Sequence, residues 1–151
     1  MITELVLVRD AGLAPIEEIS RTWPGEGSAR PQILIAHSDR LYLGHASRHF
    51  RRLGWEVRRA SSGAAARQLA FAKRPSVVAL ETNLPDESGW LSCCKLRHDG
   101  VDAKVILIEH AAEEWRFEFA RFVGACGVVL ESDGIAALVD AVYDGDLARV
   151  G

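Results

Sequence analysis

The chain has 151 residues, is 48% hydrophobic and carries a formal net charge of −3 at pH 7. That suits one globular domain with a sizeable core, provides no global basic field for nucleic acid, and leaves no apolar run near the roughly 18 residues that span a bilayer. The opening MITELVLVRD lacks the basic-then-apolar layout of a signal peptide. Cys93 and Cys94 are adjacent and Cys126 stands alone, an odd count that makes neither a disulfide scaffold nor a C-x-x-C metal pair. The expectation is a soluble, reduced, cytoplasmic protein that does not engage a membrane.

Residues 1–30 stand apart as an extension and linker. Leu5 to Val8 reads as a strand, and residues 15–23 as a short helix with Pro15 in its first turn and Ile16, Ile19 and Trp23 on one face. Pro24-Gly25-Glu26-Gly27-Ser28 then has the composition of a linker. The apolar face of that helix needs a surface, either the domain that follows or a second subunit.

From Pro31 to about residue 145 strands and helices alternate, leaving 146–151 as a tail. The apolar run 33–36 ends at His37. Residues 39–53 fit a helix capped by Ser38 or Asp39, with Tyr42, Ala46, Phe50 and Leu53 on one face and Gly54 ending it. A short strand at 55–59 leads to a second helix. Ser61 or Ser62 caps it, Ala65, Leu69 and Ala72 point inward, and Pro75 stops it. The next stretch, SVVALETNLPDESGW, is a buried strand that breaks at Glu81, turns, and starts a helix over 89–98 with Leu91, Cys94 and Trp90 inward. A fourth strand over 104–108 ends at Glu109, and a helix over 112–123 follows with Trp115, Phe119 and Phe122 at helical spacing. The fifth strand, 127–130, ends at Glu131. Asp133 caps a last helix with Ile135, Leu138, Val139 and Val142 as its stripe.

Continuous apolar strands joined by crossover helices imply a doubly wound parallel α/β sheet, covered on both faces. At this length the flavodoxin-like order 2-1-3-4-5 is expected. Ligands of such sheets bind at the carboxyl ends of the strands, where His37, Glu81, Glu109 and Glu131 all fall.

The stretch around Glu81 resembles the third strand and following loop of response-regulator receiver domains, through Asn83, Leu84, Pro85, Asp86, Ser88 and Gly89. The likeness extends over residues 31–144, with support from the Ala60 to Gly63 turn and the Gly124-Ala125 step. It implies the same strand order. It also implies a phosphoacceptor aspartate after the third strand, an acidic metal-binding pair after the first, a hydroxyl after the fourth, an aromatic switch on the fifth and a lysine after it. Here those places hold Glu81, His37 and Ser38 (with Asp39 next), Glu109, Val128 and Glu131.

Each replacement works against phosphoryl transfer, which depends on charge stabilisation and positioning around a metal. Glutamate for aspartate moves the attacking oxygen out by about 1.5 Å, and misplacement on the order of 1 Å can cost about 100-fold in rate. His37-Ser38 removes hard oxygen ligands suited to Mg²⁺. Glu131 sets a negative charge where a positive one is needed. The three glutamates at one sheet edge would repel by roughly 3 kcal/mol per pair at an effective dielectric near 20. Relief could come from solvent exposure, a protonated His37, a raised carboxyl pKa or a cation.

The sequence therefore reads as a stand-alone, degenerate receiver domain. It would be a non-enzymatic protein-interaction module of bacterial signalling, without a cofactor or resident metal, whose partner is another protein or a second copy. Trp115, Phe117 and Val128 mark the face expected to meet that partner. Two rivals remain: a metal- or small-ligand-binding protein using His37 and the glutamates, and a receiver phosphorylated at another acceptor, Asp39 or Asp86. Arg40, Arg48, Arg51, Arg52, Arg58 and Arg59 form a basic flank suited to an acidic partner or to solvent.

Overall fold

Five parallel strands and five helices alternate from residue 32 to residue 143 in the computed structural model, which describes residues 30–111 and 113–144, the side chains of Glu114 and Trp115 excepted. The expected N-terminal strand and helix and the tail lie outside the described residues. The elements are β1 (Gln32–Ala36), α1 (Arg40–Arg52), β2 (Glu56–Ala60), α2 (Gly63–Lys73), β3 (Val77–Glu81), α3 (Gly89–His98), β4 (Lys104–Glu109), α4 (Glu114–Phe122), β5 (Gly127–Leu130) and α5 (Gly134–Tyr143). Strand order is β2-β1-β3-β4-β5, as the sequence implies. Among the described residues no helix is long and apolar enough to cross a membrane.

The pleat sorts each strand's side chains alternately to two faces. Ile33, Ile35, Val77, Ala79, Ile106, Ile108 and Val129 pack under α1 and α5, with Phe50, Trp55, Leu138 and Val142. Leu34, Ala36, Val78, Leu80, Val105, Leu107 and Val128 pack under α2, α3 and α4. Three helix starts follow the sequence, whereas Asp133, expected to cap the last helix, stands at its N-cap without a side-chain cap bond. Asp39 caps α1 through the Leu41 amide, Ser62 caps α2 through Ala65, and Ser88 caps α3 through Leu91. At the far end of the sheet, the Trp55 indole donates to the Tyr143 hydroxyl at 2.7 Å and the Lys104 ammonium to the Val142 carbonyl at 2.9 Å. These bonds fasten the last turn of α5.

Three helices present a face that differs in part from the one expected. In α2 the buried residues are Gly63, Ala66 and Ala70, with Ala65 and Leu69 half-buried beside them and Ala72 exposed. In α3 they are Gly89, Ser92, Cys93 and Leu96, with Trp90 packed against the core as expected, while Leu91 and Cys94 face solvent. In α4 Ala120 is buried and Phe117 packs against the core, whereas Phe119 and Phe122 are 37% and 83% exposed. Side-chain size does not decide the outcome, since Ala72 is exposed while Leu96 is buried and Phe117 packs on the core; the apolar residues of each helix cover adjacent flanks, and helical spacing alone does not choose between them.

The loop after β3 is a brace. Asp86 accepts from the Gly63 and Ala64 amides at 2.7 and 2.9 Å and so holds the start of α2; those amides keep its carboxyl below the ordinary range. Glu87 accepts from Arg67 at 2.9 and 3.2 Å, Ser92 at 2.5 Å and Lys95 at 3.0 Å, tying α2 to α3. Gly89 closes the turn, donating its amide to the Thr82 carbonyl at 2.9 Å. A Cβ there would overlap the Glu81 carbonyl oxygen and stand 3.0 Å from Thr82 Cα.

Gly89→Ala should therefore destabilise the fold by roughly 1–3 kcal/mol through overpacking against backbone, read as a lowered urea midpoint. The Glu87 brace gives a second outcome. The Arg67 hydrogen bonds, aided by Ser92 and Lys95 and opposed by burial, hold its carboxyl down from 4.5 to about 2. A depressed carboxyl stabilises the fold above its unfolded value, and that contribution fades as pH falls from 4.5 toward 2. Glu87→Gln should cost on the order of 1 kcal/mol at pH 7 and flatten the acid decline in unfolding free energy, measured by denaturation across that pH range.

Candidate functional site

The strands' pleat decides which polar side chains meet at the carboxyl edge. His37 follows Ile33 and Ile35 in parity, Glu81 follows Val77 and Ala79, His110 follows Ile106 and Ile108, and Glu131 follows Val129. All four project to the α1–α5 side. Thr82 and Glu109 have the opposite parity, that of Val78, Leu80, Val105 and Leu107. The three glutamates are thus divided into two groups, where the sequence reading had taken them as one cluster.

The first group holds Glu81, His37, His110 and Glu131. Glu81 is 3% exposed and His37 1%. The Ser38 amide donates to Glu81 Oε1 at 2.7 Å, and His110 Nε2 donates to Glu81 Oε2 at 2.8 Å. Burial acts to raise the Glu81 carboxyl, but the Ser38 and His110 hydrogen bonds and the nearby His37 outweigh it, and the group lies below its ordinary range. His37 Nδ1 accepts the Asp39 amide at 2.9 Å, so its proton sits on Nε2 and is donated to Glu131 Oε1 at 2.9 Å. The His110 Nδ1 nitrogen also stands 3.3 Å from Glu131 Oε1. Among the described residues no lysine or arginine pairs with Glu81 or Glu131; imidazoles alone face them. The Tyr42 ring stacks on His37 with centroids 4.3 Å apart. Its hydroxyl is buried without a hydrogen-bond partner, and burial first, then the Glu131 charge, push its pKa up.

The second group is self-contained. Glu109, 2% exposed, accepts from the Thr82 hydroxyl at 2.8 Å and the His110 amide at 3.0 Å, and pairs with the Arg116 guanidinium of α4. Solvent thus relieves neither Glu81 nor Glu109, as plain exposure at loop starts would have it. Both are buried, one against imidazoles and one against a guanidinium.

The other sequence candidates fall as follows. Asp39 is engaged as the cap of α1. Val128 is 9% exposed and Phe117 half-buried, while the Trp115 side chain lies outside the described residues. Among the described residues the aromatic rings at the surface of this flank are Phe119 and Phe122, stacked at 6.2 Å, with Trp90 of α3 5.0 Å from Phe119. Arg48, Arg51 and Arg52 line a hollow with His45, His49 and Ile135 between α1 and α5. Cys93 is buried, and burial pushes its thiol up to about 12, which suits packing rather than redox chemistry. Sequence reasoning missed His110 and Arg116. His110 was detectable from pleat parity, because it is the first residue past β4 on the face of Glu81.

The Mg²⁺ that the family resemblance implies does not fit this rim. The Asp39 carboxylate is turned to a helix cap, and two imidazoles occupy ground where a hard cation needs oxygen.

No family model matches the sequence, and no curated protein matches it. Solved structures do match in fold. The signal receiver domain of NarL from Mycobacterium tuberculosis superposes with a TM-score of 0.70 at 24% identity, covering 75% of this chain and 93% of that one. The chemotaxis protein CheY4 of Vibrio cholerae gives 0.71 at 19% identity, covering 82% and 100%. A response regulator of Burkholderia pseudomallei, solved with a phosphorylated aspartic acid, calcium ion and citrate, gives 0.71 at 20% identity, covering 80% and 70%. The chain has the receiver-domain fold.

Thr82→Val keeps the shape of a buried side chain and removes one donor to Glu109. It should cost about 1–2 kcal/mol, read by urea denaturation with unchanged circular dichroism.

Proposed function

We propose that this chain is a degenerate receiver domain acting as a phosphorylation-independent protein-interaction module in bacterial signal transduction. It performs no catalysis and works in the cytoplasm. The observation that carries the reading is the engagement of both Glu81 oxygens, one by the Ser38 amide and one by His110. The Burkholderia neighbour carries a phosphorylated aspartic acid; here the corresponding carboxylate is longer, buried and held at both ends. Nucleophilic attack on a phosphoryl donor would need one of those oxygens free and in line.

The surroundings support the same reading. Glu131 brings negative charge to the place where the resemblance expects a lysine, and Glu109 stands in for the hydroxyl. Val128 replaces the aromatic switch. The alternative acceptors are engaged too, Asp39 by the Leu41 amide and Asp86 by the start of α2. Output then passes through contact with another protein, for which Phe119 and Phe122 offer exposed aromatic surface.

The test is incubation of the full chain with acetyl phosphate and Mg²⁺, followed by intact mass spectrometry, with fluoroberyllate titration monitored by tryptophan fluorescence. The expected result is no phosphoryl adduct and no saturable fluorescence change. An adduct that disappears in Glu81→Gln, Asp39→Asn or Asp86→Asn overturns the reading and names the acceptor.

A further inference from the structure

The rim has an unbalanced charge and a donor set that together specify a ligand. Glu81 and Glu131 contribute two carboxylates, and among the described residues no guanidinium or ammonium answers them. One donor atom from each of His37, Glu81, His110 and Glu131 lies within 4.8 Å of all the others. These donors come from four different strand ends, so the sheet itself holds them together. A third observation is the Tyr42 hydroxyl, 8% exposed as a residue and without a partner, on the ring stacked against His37.

We propose that His37, Glu81, His110 and Glu131 bind one borderline divalent transition-metal ion of the zinc class. Two imidazoles and two carboxylates match such an ion, whereas Mg²⁺ asks for an octahedron of oxygens. Two carboxylates also match its charge. Tetrahedral zinc places its donors about 3.3 Å apart. The pairs His37 Nε2–Glu131 Oε1 and His110 Nδ1–Glu131 Oε1 stand at 2.9 and 3.3 Å already.

Binding asks His37 to change tautomer. The proton on His37 Nε2 moves to Nδ1, where Glu81 Oε1 stands 3.6 Å away, and the Asp39 amide gives up that nitrogen. The Glu81 carboxylate then both ligates and orients an imidazole, a pairing common around bound metals. His110, 40% exposed at its side chain, is the entry side. The inference rests on the reading that Glu81 is not a phosphoacceptor. A phosphoryl adduct on Glu81 would end that reading, whereas failure to bind metal ends only this one.

The experiment titrates the reduced, chelator-stripped full chain with ZnCl₂, MnCl₂, CoCl₂ and MgCl₂, using calorimetry and thermal shift. Zinc should bind one per chain and raise the melting temperature saturably, with Mg²⁺ giving no shift at equal concentration. Cobalt should give visible ligand-field bands without thiolate charge transfer. His110→Ala and Glu131→Gln, both on partly exposed side chains, should each weaken zinc binding by on the order of 10-fold or more. A Cys94→Ser, Cys126→Ser double variant should keep it. The proposal is overturned if zinc does not stabilise the chain, if binding survives both rim substitutions undiminished, or if it vanishes with the cysteines.

Discussion

Alternation of side chains along parallel strands governs this molecule from core to rim. The same period of two that sends Ile33 and Ile35 under α1 sends His37 there, and the same period in β4 separates Glu109 from His110. Residues adjacent in sequence therefore enter different chemical settings. Thr82 and Glu109 join a hydroxyl, an amide and a guanidinium on one side; Glu81 and Glu131 join two imidazoles on the other. Two buried carboxylates a short distance apart are tolerated because the sheet keeps them on opposite faces.

Strand placement, helix starts and sheet order were legible in the sequence because each has a local cause. Apolar runs such as Val77 to Leu80 can only be covered on both sides, and Asp39, Ser62 and Ser88 offer oxygens to exposed helix amides. The inward faces of α2, α3 and α4 were legible only in part, because their apolar residues cover adjacent flanks and spacing alone does not choose between them. Phe119 and Phe122 look like core, yet Ala120 lies between helix and strands. The rim was half legible. Glutamates at strand ends were evident, but their division needed parity carried one residue beyond each strand. Arg116 lay beyond local reading, since its meeting with Glu109 depends on how α4 is placed.

The loop most like a receiver's turns out to owe its composition to architecture. Asp86 holds α2, Glu87 ties α2 to α3, Ser88 caps α3, and Gly89 admits the backbone of β3. None of these tasks requires phosphoryl chemistry at Glu81.

Close contact between Gly89 and the Glu81 carbonyl also makes the length of the side chain at residue 81 matter. With the main chain at residue 81 seated against Gly89, a side chain one methylene shorter would withdraw from the Ser38 amide and His110 together. The imidazole so abandoned, and Glu131 beyond it, would face one another across a gap with nothing to mediate. Side-chain length at this one position is thus matched to two donors at once, and a trim of a single methylene unseats both together.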